Sequence, residues 1–195
     1  MKSLERRMNK GELRKLLLDK RNSLSREEVL SASESMIRKI DTLIKKNKSI
    51  VLLGFMPLGN EIDLRPLYKR ILSGYYKNEF DIDITLGLPR VCGKEMRFFK
   101  VDSLDNLEKS KFGIIEPRLY SEEIIAENAH VMVPLIGLNK DKRRLGFGGG
   151  FYDKYFGEHR DNTLYGLAYD FQMNIDFEVN EYDIAMDHIF MAKVG

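Results

Sequence analysis

The chain has 195 residues, enough for one domain that buries about 70% of the surface its unfolded form exposes. Thirty-two Lys and Arg face 30 Asp and Glu, a net charge of +2, so no charge field asks for a nucleic-acid or membrane partner. The single cysteine, Cys92, cannot form an internal disulfide, the N-terminal stretch has no apolar signal core, and the longest apolar run, Ile50 to Met56, is far too short for a bilayer. A single domain over residues 1–195, cytoplasmic and monomeric, is expected.

Lys10 to Leu24 has helical spacing, with Leu13, Leu16 and Leu17 on one side. At 100° per residue, Lys10, Arg14 and Arg21 fall within about 40° of each other, a cationic stripe beside the apolar one. The stripe is either a solvated face or an anion-binding one. Ser25-Arg-Glu-Glu28 is a capping box that opens a second helix, whose core face carries Val29, Met36, Ile37, Ile40, Leu43 and Ile44. Ser49 to Met56 reads as a strand. Pro57 to Glu61 leaves its carboxyl end, where ligands sit in parallel α/β sheets, so Glu61 is placed to meet a substrate. Asp63 reads as the cap of a helix running to about Ser73.

Asp83 to Val91 and Lys94 to Val101 read as two strands joined at Cys92-Gly93, and Ser103 to Gly113 as a polar loop. A short helix is expected near Ser121. His130 to Leu138 reads as a buried strand and Thr163 to Tyr169 as another. Asp170 to Tyr182 is irregular, and a final strand follows Asp183. Alternating helices and strands argue an α/β fold, a mostly parallel sheet with helices on both faces. His130, His159 and His188 lack metal-ligand spacing and are given no catalytic role.

The densest signal is Arg144-Leu-Gly-Phe-Gly-Gly-Gly-Phe-Tyr-Asp153, between the strand ending at Leu138 and a helix starting near Phe151. Glycines this close let the backbone take positive φ and approach a ligand without a Cβ in the way. Amides at the following helix start favour an anion. No Gly-Lys-Ser/Thr closes the loop, and the third glycine of a dinucleotide fingerprint would fall at Phe151, so neither motif applies. A tight surface turn is the alternative; Arg143 and Arg144 before the loop and Asp153 after it favour phosphate.

These residues resemble the signature of the 5-formyltetrahydrofolate cyclo-ligases, in which Arg-Leu-Gly opens a glycine loop ending in aromatic-Tyr-Asp. Lys10-Gly-Glu-Leu-Arg14, Glu61-Ile-Asp63, Leu88-Pro-Arg90, Glu116-Pro117 and Val133-Pro134 agree in order along the chain. The family often has Phe-Asp before the loop and a glycine two residues ahead of its arginine; this chain has Leu138-Asn139 and Lys142 there.

The resemblance implies a three-layer α/β/α sandwich. It also implies conversion of 5-formyltetrahydrofolate, with or without a polyglutamate tail, and ATP to 5,10-methenyltetrahydrofolate, ADP and phosphate, with Mg²⁺. Phosphorylation of the formyl oxygen would turn a poor leaving group into a good one and let the neighbouring folate nitrogen close the ring. Such a transfer needs positioning and charge neutralisation above all. ATP contacts fall on Lys10, Arg14, Arg144, Gly146, Phe147, Gly148, Gly149, Gly150 and Tyr152, with Arg144 and Tyr152 in catalytic roles. Folate contacts fall on Phe55, Met56, Glu61, Phe147, Gly148, Gly149, Gly150 and Phe151. The metal carboxylates are Asp153 and Asp183, and a helix-start acid is the other reading of Asp153. Phe55, Met56 and Tyr152 either pack a pterin ring or belong to the core. Two other classes stay open at this point. Arg143-x-x-Gly146-x-Gly148 also fits the pyrophosphate loop of an N-acetyltransferase using acetyl-coenzyme A. The aromatic-flanked loop also resembles nucleotide- or RNA-binding segments.

Overall fold

The computed structural model describes residues 8–110 and 113–194. Helices α1 (Lys10–Asn22) and α2 (Arg26–Ile44) both open on reciprocal capping boxes, Asn9 with Glu12 and Ser25 with Glu28. Each such cap is worth about 1 kcal/mol. Leu13 and Leu17 of α1 are buried against Ile136, Leu145 and Phe177, but Leu16, expected beside them, is 53% exposed. Its 100° offset from Leu17 carries it past the edge of a narrow apolar stripe.

Strand β1 (Ser49–Leu53) stops three residues short of its expected end. A Cβ on Gly54 would collide with the Tyr68 hydroxyl, which accepts from Phe55 N at 3.0 Å and donates to Phe55 O at 2.9 Å. The glycine thus admits a buried clamp that holds Phe55 at the strand end. Helix α3 (Arg65–Leu72) follows. Leu64 occupies its cap position, while Asp63 accepts from Arg65 N at 2.9 Å, one residue outside the cap expected of it. Helix α4 (Tyr75–Phe80) has no clear sequence signal. It is only six residues long, bracketed by left-handed Gly74 and Asp81.

Strands β2 (Asp83–Cys92) and β3 (Glu95–Lys100) form the expected hairpin. The segment read as a loop from Ser103 to Gly113 carries β4 (Leu107–Lys109), paired with β5 (Ile115–Pro117); Lys111 and Phe112 lie outside the described residues. The helix expected near Ser121 is instead β6 (Glu123–Ile124), because Ile124 and Glu123 pair with Phe98 and Phe99 on the sheet edge. Strand β7 (His130–Pro134) ends earlier than Leu138, at a proline that has no N–H to extend the ladder. The chain then enters a small hairpin of β8 (Gly137–Leu138) and β9 (Arg144–Leu145). Helix α5 (Phe151–Glu158), β10 (Thr163–Tyr169) and β11 (His188–Ala192) complete the order.

The main sheet runs β11-β10-β7-β1-β2-β3-β6. The first five strands are mutually parallel, β3 pairs antiparallel with β2, and β6 pairs antiparallel with β3. Period-two alternation sends Leu52 and Met132 to one face, against Met36, Ile40 and Ile44 of α2 and Leu67 of α3. Leu53, Val131 and Val133 face the other way, against Phe156 of α5. Burial of Phe156 alone contributes about 2–3 kcal/mol. The expected α/β/α layering and mostly parallel sheet are therefore present. Among the described residues, no helix is long and apolar enough to cross a membrane.

Candidate active site

The pocket lies where the parallel strands end, with a cavity volume of about 1010 Å³. Every residue to which the resemblance gives an ATP, folate or metal contact lines it: Lys10 and Arg14 of α1; Phe55, Met56 and Glu61 after β1; Arg144 of β9; Gly146, Phe147, Gly148, Gly149 and Gly150 of the loop; Phe151, Tyr152 and Asp153 of α5; and Asp183, whereas Arg21 and Arg143 do not. The three histidines do not line it.

At the glycine-loop end the cations turn inward. Arg14 donates from Nε to Gly146 O at 2.7 Å, Lys10 pairs with Asp183 at 3.0 Å, and Arg144 pairs with Asp153 at 2.7 Å. Lys10 and Arg14 of the α1 stripe thus face the pocket and are partnered within the protein. Arg21, its third member, is 3% exposed and pairs with buried Glu61 at 3.1 Å. Each expected phosphate cation other than Arg14 therefore holds an expected metal carboxylate. Arg144 is buried, its Nε has no partner among the described residues, and its guanidinium sits 5.1 Å from the centre of the Tyr152 ring.

The loop's shape explains its composition. Gly148 and Gly150 have φ of 102° and 65°, which only glycine takes without strain. At Gly149 the obstacle is spatial: a Cβ would stand 2.8 Å from the Phe151 ring. Gly150 is the N-terminal cap of α5 and offers no side chain, so the helix's first amides lack a side-chain cap and the positive end of the helix opens on the loop.

Burial acts on Asp183 to raise its carboxyl, but the Asn180 amide, Lys10 and Arg143 outweigh it and hold the group below the usual range. Asp153 also accepts from Ile184 N at 3.3 Å, which puts both aspartates on one side of the pocket. Among the described residues no cluster of three acidic, His or Cys side chains could hold a metal. Two carboxylates with room for phosphate oxygens do suit Mg²⁺, which is usually held by one or two carboxylates plus phosphates and waters. Burial pushes the Tyr152 phenol up, with Arg144 lowering it and Glu61 raising it.

At the strand end the lining is apolar: Phe55 and Met56, then Pro89 and Val91 of β2 and Met96 of β3. The last partners of β1 and β2 are Leu53 and Gly87, and β2 runs on to Cys92 with that side uncovered. Gly54 N donates to Gly87 O on this side, and Val101 N to Leu86 O on the other. Odd positions of β2 thus point their amides into the opening, and the missing N–H of Pro89 falls where no strand would use it. Glu61 accepts from Leu58 N at 2.9 Å as well as from Arg21. Burial still wins over those partners and raises its carboxyl.

The sequence reading missed Pro89, Val91, Met96 and Glu116 in the wall, and Lys154 and Arg160 from α5 and just after it. The first four come from three strands; Pro89 and Glu116 stand in stretches that match the family, Leu88-Pro-Arg90 and Glu116-Pro117, without a role of their own there, and Val91 and Met96 carry no local motif. The signal available for Glu116 was the proline after it, which forces extended backbone at a carboxylate otherwise unusual in a strand.

The model of the 5-formyltetrahydrofolate cyclo-ligase family matches residues 6–192. A 5-formyltetrahydrofolate cyclo-ligase of Mycoplasma pneumoniae is 27% identical over 184 residues, which span 93% of this chain and 98% of that protein. The solution structure of Aquifex aeolicus 5,10-methenyltetrahydrofolate synthetase is similar with a TM-score of 0.79 at 32% identity, covering 94% of this chain and 90% of that one. A 5,10-methenyltetrahydrofolate synthetase structure from Mycoplasma pneumoniae gives a TM-score of 0.71 at 25% identity, covering 93% and 98%. With the fold, the glycine loop and the full-length match in agreement, the chain belongs to the 5-formyltetrahydrofolate cyclo-ligase family.

Proposed function

We propose that this protein converts 5-formyltetrahydrofolate and ATP to 5,10-methenyltetrahydrofolate, ADP and phosphate, with Mg²⁺. The observation that carries the reading is the convergence on one pocket of every residue given an ATP, folate or metal contact by the resemblance, with cations and uncapped helix amides at one end and mostly apolar walls at the other. In the reaction the formyl oxygen takes the γ-phosphoryl group and ADP leaves. N10 of the folate then attacks the formyl carbon, its proton is lost, and the original oxygen departs within phosphate.

Arg144, Lys10, Arg14 and the loop amides bind and orient the phosphates. Asp153 and Asp183 would hold Mg²⁺, which supplies charge neutralisation at the transferring group. These same carboxylates pair with Arg144 and Lys10. A phosphate chain carrying a divalent cation offers each partner of the two pairs a replacement, so binding exchanges ion pairs without orphaning a buried charge. Phe55 and Met56 pack the pterin, Glu61 accepts from it, Phe147 and Phe151 close the loop side, and the Tyr152 hydroxyl donates toward the reacting centre. The protein acts as a single cytoplasmic domain and a monomer, on the folate with or without further glutamates.

The test is turnover. The methenyl chromophore should rise only when protein, folate, ATP and Mg²⁺ are all present, with one ADP per product. Acetyl-coenzyme A and a short RNA should leave the melting temperature unchanged while ATP–Mg²⁺ raises it. Product formed without ATP consumption, or stabilisation by acetyl-coenzyme A or RNA instead, would contradict the proposal.

A further inference from the structure

Glu116, on β5, is 4% exposed and lines the pocket beside Pro89, Val91, Met96 and Ile115. Its one hydrogen bond among the described residues is a long one, accepted by Oε1 from Val91 N at 3.4 Å. Oε2 accepts none. Arg90, the nearby cation of β2, is turned to Glu108 and to Pro117 O instead. Glu61 differs, because both of its oxygens are engaged, by Arg21 Nη1 and Leu58 N. A buried carboxylate with one weak partner is costly unless something else satisfies it. Burial accordingly raises the Glu116 carboxyl, against smaller lowering by the Val91 amide and Arg90.

We propose that Glu116 is the specificity carboxylate for the folate head, accepting the adjacent 2-amino and N3–H donors of its pyrimidine ring. Two parallel donors on one planar ring match the two oxygens of a carboxylate, the strong bidentate arrangement. The surrounding Val91 and Met96 give the ring flat apolar contact, and the donors that Glu116 lacks within the protein arrive with the substrate. Glu116 touches the substrate but not the reacting formyl group, so its loss falls on substrate affinity and on discrimination. A site built around donors rejects an analogue that lacks them, because its buried acceptor is left unpaired.

The inference rests on the folate reading above. Its test compares 5-formyltetrahydrofolate with its 2-desamino-2-methyl analogue in wild type, Glu116→Gln and Glu61→Gln, at saturating ATP–Mg²⁺. The wild type should show a KM at least tenfold higher for the analogue. In Glu116→Gln the KM for the parent folate should rise at least tenfold, the two substrates should differ by less than threefold, and the KM for ATP should stay within twofold. A melting curve checks that each variant folds. If Glu116→Gln does not fold, the wild type still decides, since equal KM values for the two substrates overturn the proposal. Discrimination that survives in Glu116→Gln, or that collapses only in Glu61→Gln, overturns it too while leaving the folate reading intact. Absence of any turnover of 5-formyltetrahydrofolate by the wild type overturns both.

Discussion

At the glycine-loop end of the pocket, Lys10, Arg14 and Arg144 each hold an acidic or carbonyl partner at 3.0 Å or less, whereas at the strand end Glu116 has, among the described residues, only a 3.4 Å contact to Val91 N. One end is electrostatically closed within the protein and the other is short of donors. The difference fits two ligands of different character. A phosphate chain with its metal brings both signs of charge and can take over existing ion pairs. A neutral ring brings fixed N–H donors and needs an acceptor already waiting. On the proposed function, each end is matched to what its ligand would carry.

Substitutions separate the two ends. The largest effect is expected from Gly149→Val, whose branched side chain collides with the Phe151 ring and covers the loop amides. Turnover should be lost while circular dichroism stays that of the wild type, and normal kinetics in a folded variant would reduce the loop to a turn. Next comes Arg21→Met, which leaves Glu61 buried without its cation. Unfolding in urea should show a loss of about 3–5 kcal/mol. A loss under about 1 kcal/mol, the scale of an exposed pair, would mean that water reaches Glu61 and the strand end is less dry than its lining indicates.

Arg144→Ala and Lys10→Ala should each weaken ATP binding by about 1.5–3 kcal/mol, the range for hydrogen bonds to charged groups. Folate affinity should change much less, and calorimetric titration of both ligands checks the contrast. Equal losses for the two ligands would merge the two ends into one site. The smallest effect is expected from Asp153→Asn, which keeps the shape and removes a charge. The Mg²⁺ concentration for half-maximal activity should rise about tenfold, or about 1.4 kcal/mol. An unchanged Mg²⁺ dependence would return Asp153 to a helix-start partner of Arg144.

The same contrast explains what the sequence disclosed. The loop end is written in contiguous residues, Arg144 to Asp153, plus one helical stripe whose 100° geometry is enough to place Lys10 and Arg14 together. The long periodic elements, α1, α2 and β10, are legible for the same reason. The strand end is not, because Pro89, Val91, Met96 and Glu116 meet only after β2 outruns β1 and β5 folds back beside it. Boundaries fail where tertiary contacts override propensity. The Tyr68 clamp ends β1 at Leu53, edge pairing with β3 makes a strand where a helix is expected near Ser121, and α4 is too short for periodicity to register.

The most direct test follows one oxygen atom. 5-Formyltetrahydrofolate labelled with ¹⁸O in its formyl group is turned over with ATP and Mg²⁺, and the released phosphate is analysed by mass spectrometry. A formamide oxygen leaves only when activated, and the pocket offers cations and amides suited to a transferring phosphoryl group while none of the three histidines lines it. The predicted result is one labelled oxygen in each phosphate released. Unlabelled phosphate from a productive turnover, with the label in water, would contradict direct activation of the formyl oxygen even if every loop residue proved essential.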